Sequence, residues 1–314
     1  MRIEVYNADF KSQWNDFVHN SKNGTFLLLR DYMDYHCDRF TDNSLLFFDD
    51  KEYLTAILPA NKNDTALVSH GGLTYGGFIV DDRIKADLML EIFDDVSSYS
   101  KKTGFLKLIY KPVPRIYHRM PADEDLYALF VNNAVRFRCD LSCAVDLTHR
   151  PELSSRRRRS LKKALKSGVL IEEGVHLAEA LWSVLKDALA RKYETQPVHT
   201  LDEILRLQSS FSERIKFVAA LLDNKVIGGT VLYLTETVAH AQYICASETG
   251  YETSALDAVF DYCMETATNM GKHYFDFGTS NDDEGRTLNK TLYNFKSEFG
   301  GGGIAYEFYE LNLQ

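Results

Sequence analysis

The same order of elements is written twice along this chain. In the first half a strand at 2–6 leads into a helical spacing of Phe10, Trp14, Phe17 and Val18, and a second helix is predicted over 28–40. Three strand-like runs follow, SLLFFD, YLTAILPA and TALVSH, then a helix over 83–102 closed by Gly104, then the buried strand FLKLIY. The second half repeats this as VLIEE, helices over 177–193 and 201–213, the strands IKFVAALLD, KVIGGTVLYLT and VAHAQYICAS, a helix over 254–270, Gly271, and YFDF. Aligning the two glycines sets Ile92, Phe93 and Asp94 against Val259, Phe260 and Asp261. An order of this kind builds a mixed sheet covered by helices, so the expected fold class is α/β with two tandem domains of α+β mixed-sheet type. The length of 314 residues exceeds what one core usually serves. The expected domains are 1–150 and 151–314, joined at the turn-rich LTHRPELSS, with the last strand, over 304–311, able to return to the first domain.

Composition narrows the class. Hydrophobic residues at 45% and charged residues at 26% describe a globular chain. The opening MRIEVYNADF has no signal-peptide pattern, and no apolar run approaches the roughly 20 residues that span a bilayer, so a cytoplasmic protein is expected. Of five cysteines only Cys139 and Cys143 are closely spaced, with no second pair to complete a zinc site, so buried thiols and no metal are expected. Net charge is −9, yet RRRRSLKKALK at 156–166 carries seven basic and no acidic residues, leaving −16 on the remainder. One local patch of that kind suits the phosphates of a cofactor, a nucleotide-linked substrate or RNA, with a solvated helix face as the plain alternative.

From Tyr243 onward the segments YICASE, SALDAVFDYCMETATNMG, FDFGTS and LNKTLYNFKSEFGG resemble the second half of FemAB-like proteins of the N-acetyltransferase (GNAT) superfamily. In the first half GTFLLLRDYMDYH and SHGGLTYGGF resemble the N-terminal domain of the same proteins. The resemblance implies two tandem GNAT-like domains and acyl or aminoacyl transfer to an amine of a bacterial surface-glycan or peptidoglycan precursor, a nucleotide-linked sugar included. The donor it implies is an acyl-CoA such as acetyl-CoA, or an aminoacyl-tRNA. Two departures matter. The glycine-rich pyrophosphate loop of acetyl-CoA enzymes is replaced by SETGYETSALD, with Gly250 alone, and no heptad segment supplies the coiled-coil arm of some tRNA-dependent relatives. A catalytically silent ligand-binding module and an RNA-associated protein using the 156–166 helix therefore stay open beside the enzyme.

Acyl transfer needs a polarised carbonyl, an oriented nucleophile and a destination for its proton. A helix predicted over 286–299 places Asn289, Tyr293 and Lys296 on one polar stripe beside an apolar face of Leu288, Leu292, Phe295 and Phe299. The pair Phe295 and Lys296 resembles a Phe-Lys pair that in FemAB-like enzymes is associated with the tetrahedral intermediate or the acceptor. Asp276, at the end of the YFDF strand, could accept an amine proton or cap the turn after it. On the preceding strand His240 and Gln242 share one face and Tyr243 takes the other unless a bulge intervenes; His240 suits a general base and Tyr243 a proton donor, or both are structural. His199 stands just before the capping box Thr200, Leu201, Asp202, Glu203, as a substrate contact or a loop histidine. SHGGLTYGGF lacks the GK[ST] of a phosphate loop, and His70 and Tyr75 are its candidate substrate contacts. Arg156, Arg157, Arg158 and Arg159 are the candidate phosphate ligands.

Overall fold

The computed structural model describes the backbone of residues 1–314 and every side chain except those of His36, Lys192 and Tyr193. Two compact units emerge: Met1–Leu141 with Asn281–Thr287 and Ala305–Gln314, and Ser142–Ser280 with Leu288–Ile304. The chain passes from the first to the second inside one strand, Val135–Asp146.

In the first unit, Arg2–Val5, Leu45–Phe48, Leu54–Leu58 and Ile79–Val80 pair antiparallel. A second set orders Thr41–Asp42, Asn61–Asn63, Ala66–Val68 and Lys107–Tyr110, followed by the last strand, whose Tyr309 to Asn312 pair with Tyr110 to Lys107. The helix Ala86–Thr103 turns Met89, Ile92, Phe93 and Val96 into a core with Phe47, Phe78 and Leu108. One pairing is parallel, Ala66–Val68 against Lys107 to Ile109. Beyond it the chain stays tied across: the Ser69 amide donates to Ile109 O (2.8 Å), the Lys111 amide to Ser69 Oγ (2.7 Å), and the Gly76 amide to Lys111 O (2.9 Å). The segment 69–76 thus lies along the strand end and shuts it.

The helix expected over 28–40 is not continuous. A 3-10 turn at Phe26–Leu28 gives way to one helical turn at Arg30–Met33 and another 3-10 turn at Asp34–His36. The Trp14 indole takes the Leu28 carbonyl (2.8 Å), while the buried Arg30 guanidinium, held by Asp34 and Asp42, lies 3.7 Å from the Tyr6 ring centre. Tertiary partners here outcompete the helical ladder. A helix at Glu124–Val131 and the strand Val135–Asp146 were not anticipated at all.

The second unit's sheet runs Leu170–Glu173, Ile215–Leu222, Lys225–Leu234, Val238–Ala246, Tyr274–Thr279, and then residues 142–146. Helix Ala255–Asn269 covers one face, where Phe260 meets Phe275, Phe277 and Phe299 at ring separations of 4.9 to 6.1 Å. Helix Ala178–Tyr193 covers the other, with Leu181 pressed onto Gly229 and the Cys245 thiol reaching Leu181 O. The basic run forms the helix Ser155–Lys166, but its arginines do not all fan outward. Arg157 is buried and binds Asp257 (3.0 Å) and Glu298 (2.7 Å), with its guanidinium 4.6 and 4.8 Å from the Phe295 and Phe299 ring centres. The docking face is therefore Arg157, Leu161 and Ala164, while Leu165 is 63% exposed. Burial holds the Asp257 carboxyl above its usual range despite Arg157. Removing the cation leaves two carboxylates facing an apolar wall, so Arg157→Ala is expected to destabilise the fold by about 3–5 kcal/mol, read by urea unfolding, whereas Arg159→Ala changes it by less than about 0.5 kcal/mol.

Candidate active site

Two neighbouring strands of the second unit part company at one residue pair. Val238–Ala246 and Tyr274–Thr279 pair in parallel only through Val238↔Tyr274, Ala239↔Phe275 and His240↔Asp276, although both continue. On the far side of Tyr274–Thr279, Asp276 pairs with Ala144 and Thr279 with Ser142, so two residues oppose Cys143 alone. This bulge is made possible by Gly278, whose φ of +75° is the left-handed region.

Asp276 is fully buried at the point of divergence. Its Oδ1 accepts the Ser142 hydroxyl and the Gly278 amide (3.0 Å), and its Oδ2 lies 3.0 Å from His240 Nδ1. Against an ionised carboxylate, which only accepts, Nδ1 would carry the proton and Nε2 the lone pair. A Cβ at position 278 would come within 3.4 Å of His240 Cε1, so the glycine also leaves room along the imidazole edge. Asp276 thus caps the turn after its strand, one of the two roles expected of it, and both its oxygens are engaged with protein groups, Oδ2 beside the His240 imidazole.

Lys296 does not lie on a polar surface stripe. The helix begins only at Lys290, Asn289 is its N-cap (Leu292 amide to Asn289 Oδ1, 3.0 Å), and Lys296 is 3% exposed. Its Nζ donates to the Gly278 and Thr279 carbonyls at 2.8 and 2.7 Å, which leaves one N–H of the ammonium beyond these two. Burial lowers its pKa to about 8, with Asp276 and Cys143 pulling the other way, and burial raises the Cys143 thiol to about 11. Tyr293 is half-buried, and burial, with Cys143 nearby, raises its hydroxyl. Phe295 packs on the aromatic core and under Arg157.

A bulge does intervene on the 238–246 strand, between the pairs Leu232↔Ala241 and Val231↔Tyr243. Gln242 is the extra residue, and Tyr243 returns to the face of His240 instead of the opposite one. There the Tyr243 hydroxyl lies 2.5 Å from His199 Nδ1, and its ring packs edge-on to Trp182 with centres 5.1 Å apart. The capping box forms as expected and fixes the backbone after His199. His70 and Tyr75 belong to the first unit and are buried there, Tyr75 donating to Thr25 Oγ1 (3.1 Å) with its ring 4.8 Å from that of Tyr117, so neither is presented as a surface contact. Of the four arginines, Arg156 pairs with Glu298 (2.9 Å), Arg157 is internal, and Arg158 pairs with Glu152 (3.2 Å); Arg159 is exposed. Sequence reasoning missed Ser142, Cys143 and Trp182. Among the described residues no cluster of His, Cys, Asp and Glu could hold a metal ion, and no helix is long and apolar enough to cross a membrane.

The divergent parallel pair with a helix on each face is the arrangement of a GNAT-type domain, and the chain as a whole has a FemAB-like fold. Residues 153–290 match the acetyltransferase (GNAT) domain family. The fold is similar to FemX (TM-score 0.70, 11% identity, over 98% of this chain and 97% of that one) and to L-PGS from Bacillus licheniformis (TM-score 0.63, 12%, over 99% and 93%). It is also similar to a tandem GNAT protein from the clavulanic acid biosynthesis pathway (TM-score 0.54, 10%, over 100% and 99%). A search of curated protein sequences finds no match.

The Lys296 environment makes a prediction independent of activity. A lysine whose folded pKa is about 8 against about 10.4 unfolded binds fewer protons folded than unfolded between those values, so stability rises with pH across that window. Urea unfolding from pH 7 to 10.5 is expected to show wild type gaining on Lys296→Met above pH 8. A difference that is flat with pH would mean that the ammonium is solvated.

Proposed function

We propose that the second unit transfers an acyl group to an amine at the divergence of the two strands. The observation that supports this best is the convergence there of a carboxylate-oriented imidazole and a buried ammonium. In this reading the acceptor amine, as it attacks the donor carbonyl carbon, gives its proton to His240 Nε2. The tetrahedral oxyanion forms beside Lys296, whose remaining N–H offsets its charge, and the C–O or C–S bond to the leaving group then breaks as His240 returns the proton. Asp276 orients the imidazole throughout, and Tyr243, hydrogen-bonded to His199, borders the acceptor.

For the donor, the segment 247–257 favours an aminoacyl ester such as aminoacyl-tRNA over acyl-CoA. Where acetyl-CoA enzymes offer free backbone amides, this segment is a helical turn, Glu248–Thr253, closed on itself by the Ser247 cap. A Cβ at Gly250 would meet Ile227 O at 2.2 Å, so this glycine serves packing against that carbonyl. Glu248 and Glu252 add negative charge where a pyrophosphate would sit. A lysylphosphatidylglycerol synthetase among the similar folds points the same way, and the FemAB-like resemblance supports an amine of a surface-glycan or peptidoglycan precursor as acceptor.

The test is transfer by the purified protein from acetyl-CoA and from a set of charged tRNAs to amino sugars and peptide amines. Product from charged tRNA alone is the expected result; product from acetyl-CoA overturns the donor assignment, and none from either overturns the enzyme. Lys296→Met is expected to lower turnover by about two to three orders of magnitude, and His240→Ala by about 10²–10⁴.

A further inference from the structure

Trp182 lies on the helix Ala178–Tyr193, packed on the sheet face that carries His240 and Tyr243. Trp182 is 1% exposed, yet among the described residues its indole Nε1 has no hydrogen-bond partner. A buried donor left unmade is costly, and native proteins rarely retain one without a use. The other tryptophan shows the usual solution, since Trp14 is as buried and donates to Leu28 O at 2.8 Å. The bulge at Gln242 is what brings Tyr243 to Trp182, and Tyr243 comes soon after the point where the strands diverge. The His199 imidazole closes the group edge-on to Tyr243, 5.9 Å between ring centres, on backbone fixed by the capping box.

We infer that Trp182, Tyr243 and His199 form a recognition subsite for the acceptor, in which the Trp182 indole N–H donates to an uncharged oxygen of the molecule that carries the amine. This rests on the acyl-transfer reading for the word acceptor, because the subsite lies on the same sheet face as His240. Aromatic surface with the Trp182 indole N–H as its neutral donor, and no lysine or arginine in the group, suits an amide carbonyl or a sugar hydroxyl and not a carboxylate or phosphate. Amino sugars and peptide amines both present such an oxygen near the reacting nitrogen.

Full-length protein labelled with nitrogen-15 tryptophan should give two indole N–H signals, with Trp14 as internal reference and Trp182→Phe assigning the other. Glucosamine and glycinamide are titrated separately, with ethylamine as the amine that lacks an oxygen. The expected result is movement of the Trp182 signal alone with glucosamine or glycinamide, and whichever moves it identifies a sugar or an amide source. Trp182→Phe keeps an aromatic ring and is expected to weaken that probe by about tenfold. A Trp182 signal unmoved by both probes overturns the subsite, as does an equal response to ethylamine or undiminished binding by the phenylalanine variant. The readout is binding, so movement without transfer in the donor assay would sink the catalytic reading and leave the subsite standing.

Discussion

The geometry of the second unit depends on one buried carboxylate. Asp276 has no contact with solvent, and an unpartnered carboxylate in that position would not stay ionised. Donors from three separate places meet it: the Ser142 hydroxyl on one neighbouring strand, His240 Nδ1 on the other, and the Gly278 amide of its own strand. Each of the three also determines local shape. The Ser142 side requires the two-against-one bulge opposite Cys143, and Gly278 supplies the left-handed residue the bulge needs. The His240 side is the last parallel pair before the strands diverge. Satisfying the carboxylate and opening the sheet are thus one structural event.

Lys296 is the counterpart of that arrangement. Its ammonium is desolvated and held by the two carbonyls that the end of the same strand exposes. Burial alone would favour the neutral amine, while Asp276 and Cys143 oppose it. A pKa of about 8 keeps most of the population cationic at neutral pH and close to the point of proton loss. A solvated lysine would be cationic as well, but water would screen its charge from a developing oxyanion.

Periodicity made much of this architecture legible, and registration hid most of the site. Helix Ala255–Asn269 and the strands from Ile215 to Ala246 follow from period and punctuation. The strand Val135–Asp146 also carried a signal, since Val135, Phe137, Cys139 and Leu141 alternate with charged or polar residues. Ser142 had no local signal, because its role exists only once residues 142–146 register against 274–279. Lys296 was found by motif yet placed on the wrong surface, because helical spacing sorts side chains by polarity and a lysine can bury its ammonium when two carbonyls wait for it. The Gln242 bulge shows the same limit: alternation sent Tyr243 to the wrong face, and one extra residue reversed it.

The two units contain the same parallel step and treat its end in opposite ways. In the first, Val68↔Ile109 is followed by bonds that the Ser69, Lys111 and Gly76 amides donate to Ile109 O, Ser69 Oγ and Lys111 O, which keep the strand ends joined. The Lys111 ammonium turns inward to Leu73 O, and burial lowers its pKa to about 7. In the second, His240↔Asp276 ends the pairing, and that last pair sets an imidazole against a carboxylate. A strand end closed by its own backbone has no amides or carbonyls left for a ligand, whereas a divergent one does. That asymmetry favours proposing chemistry for the second unit, and it accounts for the burial of His70 and Tyr75, the candidate contacts of SHGGLTYGGF. A duplicated fold can keep the element order in both copies while only one keeps the opening, because hydrophobic period sets the order, whereas the opening depends on the few residues just past one strand pair.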